Sequence, residues 1–204
     1  GRDWNARFAR FDVRPIAAAS IGQVHRARTL DGRDLAIKVQ YPGIRSSIDS
    51  DVDNIAALAR LPGLVPGSLD FAPLLREAKR QLHEEADYAR EAEALTRFTG
   101  LLGSSSEFQV PGLHADFCTP NVLAMDYVDS VPVDALVHAD QAVRDRVMTL
   151  LIGLVLRELF EFHLMQTDPN FANYRFNRAT GQVVLLDFGA TRSFAPSVAQ
   201  DFRK

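Results

Sequence analysis

Cysteine is nearly missing from this sequence: the 204 residues hold one, Cys118. A lone thiol cannot close an internal disulfide, and thiols alone cannot build a metal cluster here. Cys118 is expected as a small buried residue. Basic excess is missing too, since 23 Lys and Arg stand against 26 Asp and Glu, for a net charge of −3. That balance gives no electrostatic footprint for nucleic acid, and no dense Lys/Arg run marks an anionic membrane patch. No apolar run is long enough to cross a bilayer: the longest, Val147 to Leu156, stops at Arg157 and Glu158 and predicts a buried helix. No leader segment is visible at the start. Repeats and low-complexity tracts are absent as well. What is present is an ordinary globular composition, 47% hydrophobic and 24% charged, sufficient for one sizeable domain or two small lobes around a cleft.

Three short segments, Phe11–Ala18, Gly22–Arg28 and Asp34–Gln40, predict strands, with Asp31-Gly32 as a hairpin turn. Ile48, Val52, Ile55 and Ala59 recur at helical spacing until Pro62, Gly63, Pro66 and Gly67 interrupt it. A long helix is expected over Pro73 to Phe98, with an apolar stripe of Leu75, Ala78, Leu82, Ala89 and Ala92. After a loop at Gly100–Ser106, strands are expected around Gln109–His114 and Asn121–Tyr127. A linker follows at Ser130–Asp134, and then a helix through Val143, Val147, Leu150 and Leu154. The fold class is α+β in two lobes: residues 1–127 form a sheet with helices, and 128–204 form a mainly helical, incomplete second lobe.

Four segments carry chemistry. Ala17, Ala18, Ala19, Ser20, Gly22, Gln23 and Val24 lie between two expected strands, where a kinase has its G-x-G-x-x-G-x-V phosphate loop. Alanines replace the first two glycines and restrict backbone approach to a phosphate. Leu35-Ala36-Ile37-Lys38 matches V-A-I-K, and Lys38 would hold the α- and β-phosphates. Such a lysine needs a carboxylate from a facing helix. Glu85 sits on the apolar stripe, where an unpaired carboxylate is costly, so a Lys38–Glu85 ion pair is expected. Asp168 and Asn173 have the spacing of the kinase catalytic loop H-R-D-x-x-x-x-N. Asp168 would orient or deprotonate the attacking group, and Asn173 would bind metal. Asp187-Phe188-Gly189 follows Asn173 by 14 residues and makes Asp187 the expected Mg²⁺ ligand. Met125, Asp126 and Val128 stand where a hinge would bind adenine. Ala36 falls on the strand that leads to Lys38. Each motif alone is common; their order is what points to a kinase-like nucleotide site.

Longer matches narrow this to a family. Pro15 to Ala27, Lys38-Val39-Gln40-Tyr41-Pro42-Gly43-Ile44, Glu85-Ala86-Asp87-Tyr88-Ala89-Arg90-Glu91-Ala92 and Leu156 to Asn170 resemble the UbiB family of atypical kinases, in the branch near the mitochondrial coenzyme Q kinase-like proteins. The resemblance implies ATP or ADP and Mg²⁺ as cofactors. It implies ATPase-type or small-molecule and lipid phosphotransfer activity supporting ubiquinone biosynthesis. Its implied partners are lipid or ubiquinone-pathway intermediates and biosynthetic proteins, with room for peripheral membrane contact. Its implied setting is the mitochondrial matrix or the bacterial cytoplasm and inner-membrane face. It assigns Lys38 and Glu85 as the ion pair, Asp168 as the catalytic acid residue, and Asn173 and Asp187 as metal ligands. The family's K-x-G-Q motif is not in this sequence. Gln166 and Thr167 replace the His-Arg of ordinary kinases, and Asn170 stands where a phosphate-steadying lysine is usual, so protein phosphorylation is disfavoured. The alternative is a catalytically weak, nucleotide-gated pseudokinase that regulates a partner complex. His25, His83 and His163 receive no role.

Overall fold

The computed structural model describes residues 3–59, 71–168 and 170–202. The expected break at Pro62–Gly67 lies outside them. The first sheet is antiparallel, in the order β1 (Phe8–Phe11), β3 (Gly22–Thr29), β4 (Asp34–Gln40) and β6 (Val122–Asp126), with β2 (Ala17–Ala19) also paired to β3. The single strand expected over Phe11–Ala18 is two short ones. Pro15, which has no N–H to donate to a ladder, falls between them. Asp31-Gly32 makes the hairpin turn, and Gly32 adopts a φ of 90° that other residues resist.

Period-two alternation then sorts the faces. On β4, Leu35 and Ile37 are buried against Ala27 and Ala124 with Phe8 and Phe11. Ala36, Lys38 and Gln40 point to the opposite face. The register pairs Val24 with Lys38 and Ala36 with Met125, so Val24, Ala36, Lys38 and Met125 share that face.

Helix α1 spans Ile44–Ala59. The long helix expected after it is broken in two: α2 (Ala72–Glu85) and α3 (Tyr88–Leu102). The break has local causes. The Gln40 side chain donates to the Ala86 carbonyl at 2.7 Å, and the Asp87 side chain caps α3 by accepting from the Ala89 N–H at 3.2 Å. The buried stripe therefore restarts, running Tyr88, Glu91, Ala94, Leu95, Phe98 and Leu102. Helix α3 extends four residues past the expected end at Phe98.

A second sheet joins β5 (Phe108–Gln109), β10 (Gln182–Leu185), β9 (Tyr174–Asn177) and β7 (Val131–Pro132). Strand β5 pairs in parallel with β10, so it belongs to this sheet although it precedes residue 127 in the chain. Helix α4 (Gln141–Arg157) continues as a π-helical turn, Glu158–Phe162, that stops at His163 with a left-handed φ of 49°. Strands β8 (Leu164–Gln166) and β11 (Thr191–Ser193) form a third small sheet before α5 (Pro196–Asp201). One apolar core joins these parts: Phe98 and Leu95 of α3 meet Leu123 of β6, Leu154 of α4, Leu185 of β10 and Phe188.

Candidate nucleotide site

A cleft of about 540 Å³ opens between the first sheet, the end of α2 and the segments around Asp168 and Asp187. Its sheet side is Ala17, Ala18, Ala19, Ser20, Val24, Ala36, Lys38 and Met125. Asp168, Asn173 and Asp187 form the facing side, with Asn170 and Gly189.

Lys38 does not pair with Glu85. Its Nζ lies 2.9 Å from each oxygen of Glu91 and 3.3 Å from Asp187 Oδ2. Glu91 is 1% exposed. Burial pulls the Lys38 pKa down, but Glu91 and Asp187 outweigh it and the net shift is upward. Burial also raises Glu91, against the pull of Lys38. With both oxygens in contact with the ammonium, the pair is an ion pair at neutral pH. Glu85, six residues earlier, is half-buried at the cleft wall and accepts a hydrogen bond from the Ser20 hydroxyl.

The alanine segment forms a hairpin with β3, Ala19 opposite Gly22 and Ala17 opposite Val24. Gly22 itself lies outside the cleft wall. A Cβ there would fall 2.3 Å from the Val39 carbonyl oxygen and 3.0 Å from the Tyr88 hydroxyl. That close approach of strand and helix accounts for the glycine. Gln23 is a paired β3 residue opposite Val39, also outside the wall. At the hinge the Asp126 N–H is spent on the Gly112 carbonyl at 2.9 Å, and the Asp126 carboxylate accepts from Gly112 N–H and meets His114 Nε2 at 2.7 Å. Met125 lines the cleft; Asp126 and Val128 do not.

The loop carrying Asp168 is held from both ends. Gln166 pairs with Thr191, and the Thr167 hydroxyl donates to the Ala190 carbonyl at 2.6 Å. The Asn173 amide donates to the Asp168 carbonyl and carboxylate at 3.2 and 3.3 Å, and the Leu186 N–H donates to the Asn173 carbonyl at 3.1 Å. Asn170 accepts from the Ala172 N–H at 3.0 Å and so caps the 3-10 turn Phe171–Asn173. Asp187 Oδ1 accepts from Gly189 N–H at 2.9 Å, and Phe188 is buried 5.1 Å, ring centre to ring centre, from Phe98 of α3. The oxygens of Asp187 and Asn173 are hard donors of the kind Mg²⁺ takes. Among the described residues no group of three or more His, Cys, Asp or Glu could hold a metal ion by itself. The donor set therefore fits an ion shared with phosphate oxygens, not a closed protein cage.

Sequence reasoning missed Gln81, Glu84 and Arg192 of the cleft wall. Neither α2 nor β11 carries a recognised motif at those positions. For Glu91 a signal existed, in the E-x-D-Y-x-x-E-A match itself. The unassigned histidines are accounted for locally: His25 Nδ1 meets the Asp12 carbonyl at 2.9 Å, His83 meets Asp49 at 3.3 Å, and His163 meets the Leu159 carbonyl at 3.2 Å. Cys118 is half-buried, with Sγ 3.3 Å from the His114 carbonyl oxygen.

Comparison with known proteins places this geometry. The model of the ABC1 atypical kinase-like domain matches residues 1–204. The chain is 42% identical over 194 residues to the atypical kinase COQ8B, mitochondrial, of Rattus norvegicus, covering 95% of this chain and 37% of that protein. It is 38% identical over 204 residues to the atypical kinase COQ8, mitochondrial, of Saccharomyces cerevisiae, covering 100% of this chain and 41% of that protein. The chain thus spans less than half of these curated relatives. Among solved structures, Rv3197 of Mycobacterium tuberculosis, in its complex with erythromycin, superposes with a TM-score of 0.74 at 30% identity, over 95% of this chain and 49% of that one. The Rio2 kinase of Chaetomium thermophilum, in an ADP/Mg²⁺–phosphoaspartate complex, shares the fold with a TM-score of 0.56 at 13% identity, over 98% of this chain and 55% of that one. Among the described residues no helix is long and apolar enough to cross a membrane. The fold is kinase-like, and the chain belongs to the ABC1 atypical kinase-like domain family.

Proposed function

We propose that this chain is the nucleotide-binding core of a Mg²⁺-dependent ATPase or small-molecule or lipid phosphotransferase that supports ubiquinone biosynthesis. The observation that carries the reading is Lys38, held between Glu91 and Asp187 in a cleft whose facing wall presents Asp168 and Asn173. In this reading Lys38 holds the α- and β-phosphates, and Glu91 keeps its ammonium charged and aimed. Asp168 orients or deprotonates the attacking hydroxyl or water. Asn173 and Asp187 hold Mg²⁺, which when bound neutralises charge on the phosphates. Ala36 and Met125, which line the cleft, pack on the base. The setting follows the relatives named as mitochondrial, with the bacterial inner-membrane face as the other option. Lipid or quinone-pathway intermediates and biosynthetic proteins are the partners the reading implies, along with adenine nucleotide.

A second reading is a nucleotide-gated regulator without significant turnover. It is favoured by Asn170, whose side chain is committed to capping a turn where a kinase has a cation. One assay separates the two: phosphate release from MgATP by the wild-type chain and by Asp168→Asn. Loss of at least about tenfold in the mutant supports the enzyme, since general-base groups contribute that much or more. Nucleotide binding with no turnover above the mutant supports the regulator.

A further inference from the structure

The cleft is short of free positive charge. Of the described residues that line it, only Lys38 and Arg192 are cationic, against Glu84, Glu85, Asp168 and Asp187. The Lys38 ammonium already faces Glu91 at 2.9 Å, twice, and Asp187 at 3.3 Å, so its charge is largely matched before a phosphate arrives. A triphosphate entering this wall meets one further cation. Arg192 lies three residues after Gly189 and pairs across the strand with Met165, so it rides on the two segments that carry Asp187 and Asp168. We propose that Arg192 binds the terminal phosphate of the nucleotide, in place of the lysine that position 170 lacks. This rests on reading the cleft as a nucleotide site.

The guanidinium lines the cleft and has donors to spare. Among the described residues it donates to Glu84 Oε2 at 3.3 Å and lies 3.9 Å from Glu77. A guanidinium has five N–H donors in a fork that fits phosphate oxygens, so donors remain. Its side chain is 38% exposed, which leaves room to turn. Glu84 would not be stranded by the move, because Arg80 also pairs with it and Arg90 lies 3.5 Å away. Glu84 is thus a resting partner that Arg192 can exchange for a phosphate without leaving a lone buried charge.

The test is calorimetric titration of the 204-residue chain with MgATP and with MgADP. Arg192→Ala is expected to weaken MgATP by about tenfold, the scale of one charge-assisted hydrogen bond, and MgADP by less than about twofold. Arg192→Lys, a point charge without the fork, is expected to fall between wild type and alanine for MgATP only. Equal loss for both nucleotides in Arg192→Ala, or no loss for either, overturns the assignment and leaves Arg192 a clamp between β11 and α2. If Arg192→Ala does not fold, an unchanged MgATP to MgADP ratio in Arg192→Lys overturns it. A wild-type chain that binds neither nucleotide overturns the nucleotide reading itself; a wild-type chain that binds both, with an unmoved ratio in the variants, removes Arg192 alone.

Discussion

Lys38 and Glu91 meet across the first sheet and α3, with the ammonium 2.9 Å from both carboxylate oxygens. The pair is buried, and without Glu91 the Lys38 ammonium is left with the longer contact to Asp187 at 3.3 Å in a poor solvent. Glu91→Gln is expected to destabilise the chain by about 3 kcal/mol and to abolish nucleotide binding. Glu85→Gln keeps an acceptor for the Ser20 hydroxyl at the cleft wall and is expected to cost about 1 kcal/mol or less. Urea denaturation of the two variants side by side decides between them; similar losses would show that Glu91 does not have the anchoring role.

Much of the site was legible because it depends on short local patterns. Lys38, Asp168, Asn173 and Asp187 each sit in a motif whose backbone setting is strand, loop or strand end, and the register of β4 and β6 placed Ala36 and Met125 beside them. The error at Glu85 came from extending one helical phase across a break. Nothing in the 3.6-residue period warns that Gln40, 46 positions away, will take the Ala86 carbonyl. Once the helix stops there and Asp87 caps a new one, the phase is reset and Glu91 becomes the inward carboxylate. Gly22 has a packing partner that the sequence does not display, the Val39 carbonyl of an adjacent strand. Strands β7, β8 and β11 escaped notice because two or three residues cannot display a period.

Two glycines should respond oppositely to the same substitution. Gly22→Ala drives a Cβ to 2.3 Å from the Val39 carbonyl oxygen, a backbone atom with little freedom to move, and is expected to destabilise by about 3 kcal/mol. Gly100 lies within α3, with nothing within 4 Å of the position a Cβ would take. Gly100→Ala is expected to stabilise by roughly 0.5–1 kcal/mol, because alanine loses less backbone entropy in a helix. Melting temperatures of the two variants should move in opposite directions from wild type.

Glu158 makes stability depend on pH. Its carboxyl is 1% exposed at the end of α4, and burial pushes its pKa up to about 7, partly opposed by the Gln166 N–H it accepts at 3.2 Å. Unfolded, it titrates near its ordinary value of 4.5. Between these values the folded chain holds a proton that the unfolded chain has lost. Stability from this group is therefore full below about pH 4.5, falls as pH rises, and levels off above about pH 7, by up to about 3 kcal/mol. Glu158→Gln keeps an acceptor for the Gln166 N–H and removes the titration. Denaturation midpoints of wild type and Glu158→Gln between pH 5 and 8 should diverge as pH rises, the variant being the more stable at pH 8. Parallel curves would mean that the carboxyl finds a charged state it tolerates.

The divalent ion should matter only with nucleotide present. Asp187 and Asn173 supply too few oxygens to hold Mg²⁺ alone, and Asp187 already faces Lys38 at 3.3 Å. Mg²⁺ by itself, at a few millimolar, is expected to leave the melting temperature unchanged, whereas MgATP raises it through binding to the folded state. Asp187→Asn removes the carboxylate that touches Lys38 and that the proposed reading assigns to the ion, and should abolish the Mg²⁺-dependent part of the rise while leaving the fold intact. Asn173→Ala should reduce that part less, since an amide oxygen is a weaker partner than a carboxylate for a hard cation. A rise with Mg²⁺ alone would place the metal in a protein cage and remove the shared-ion reading. An equal rise for MgATP in Asp187→Asn and wild type would move the ion away from Asp187.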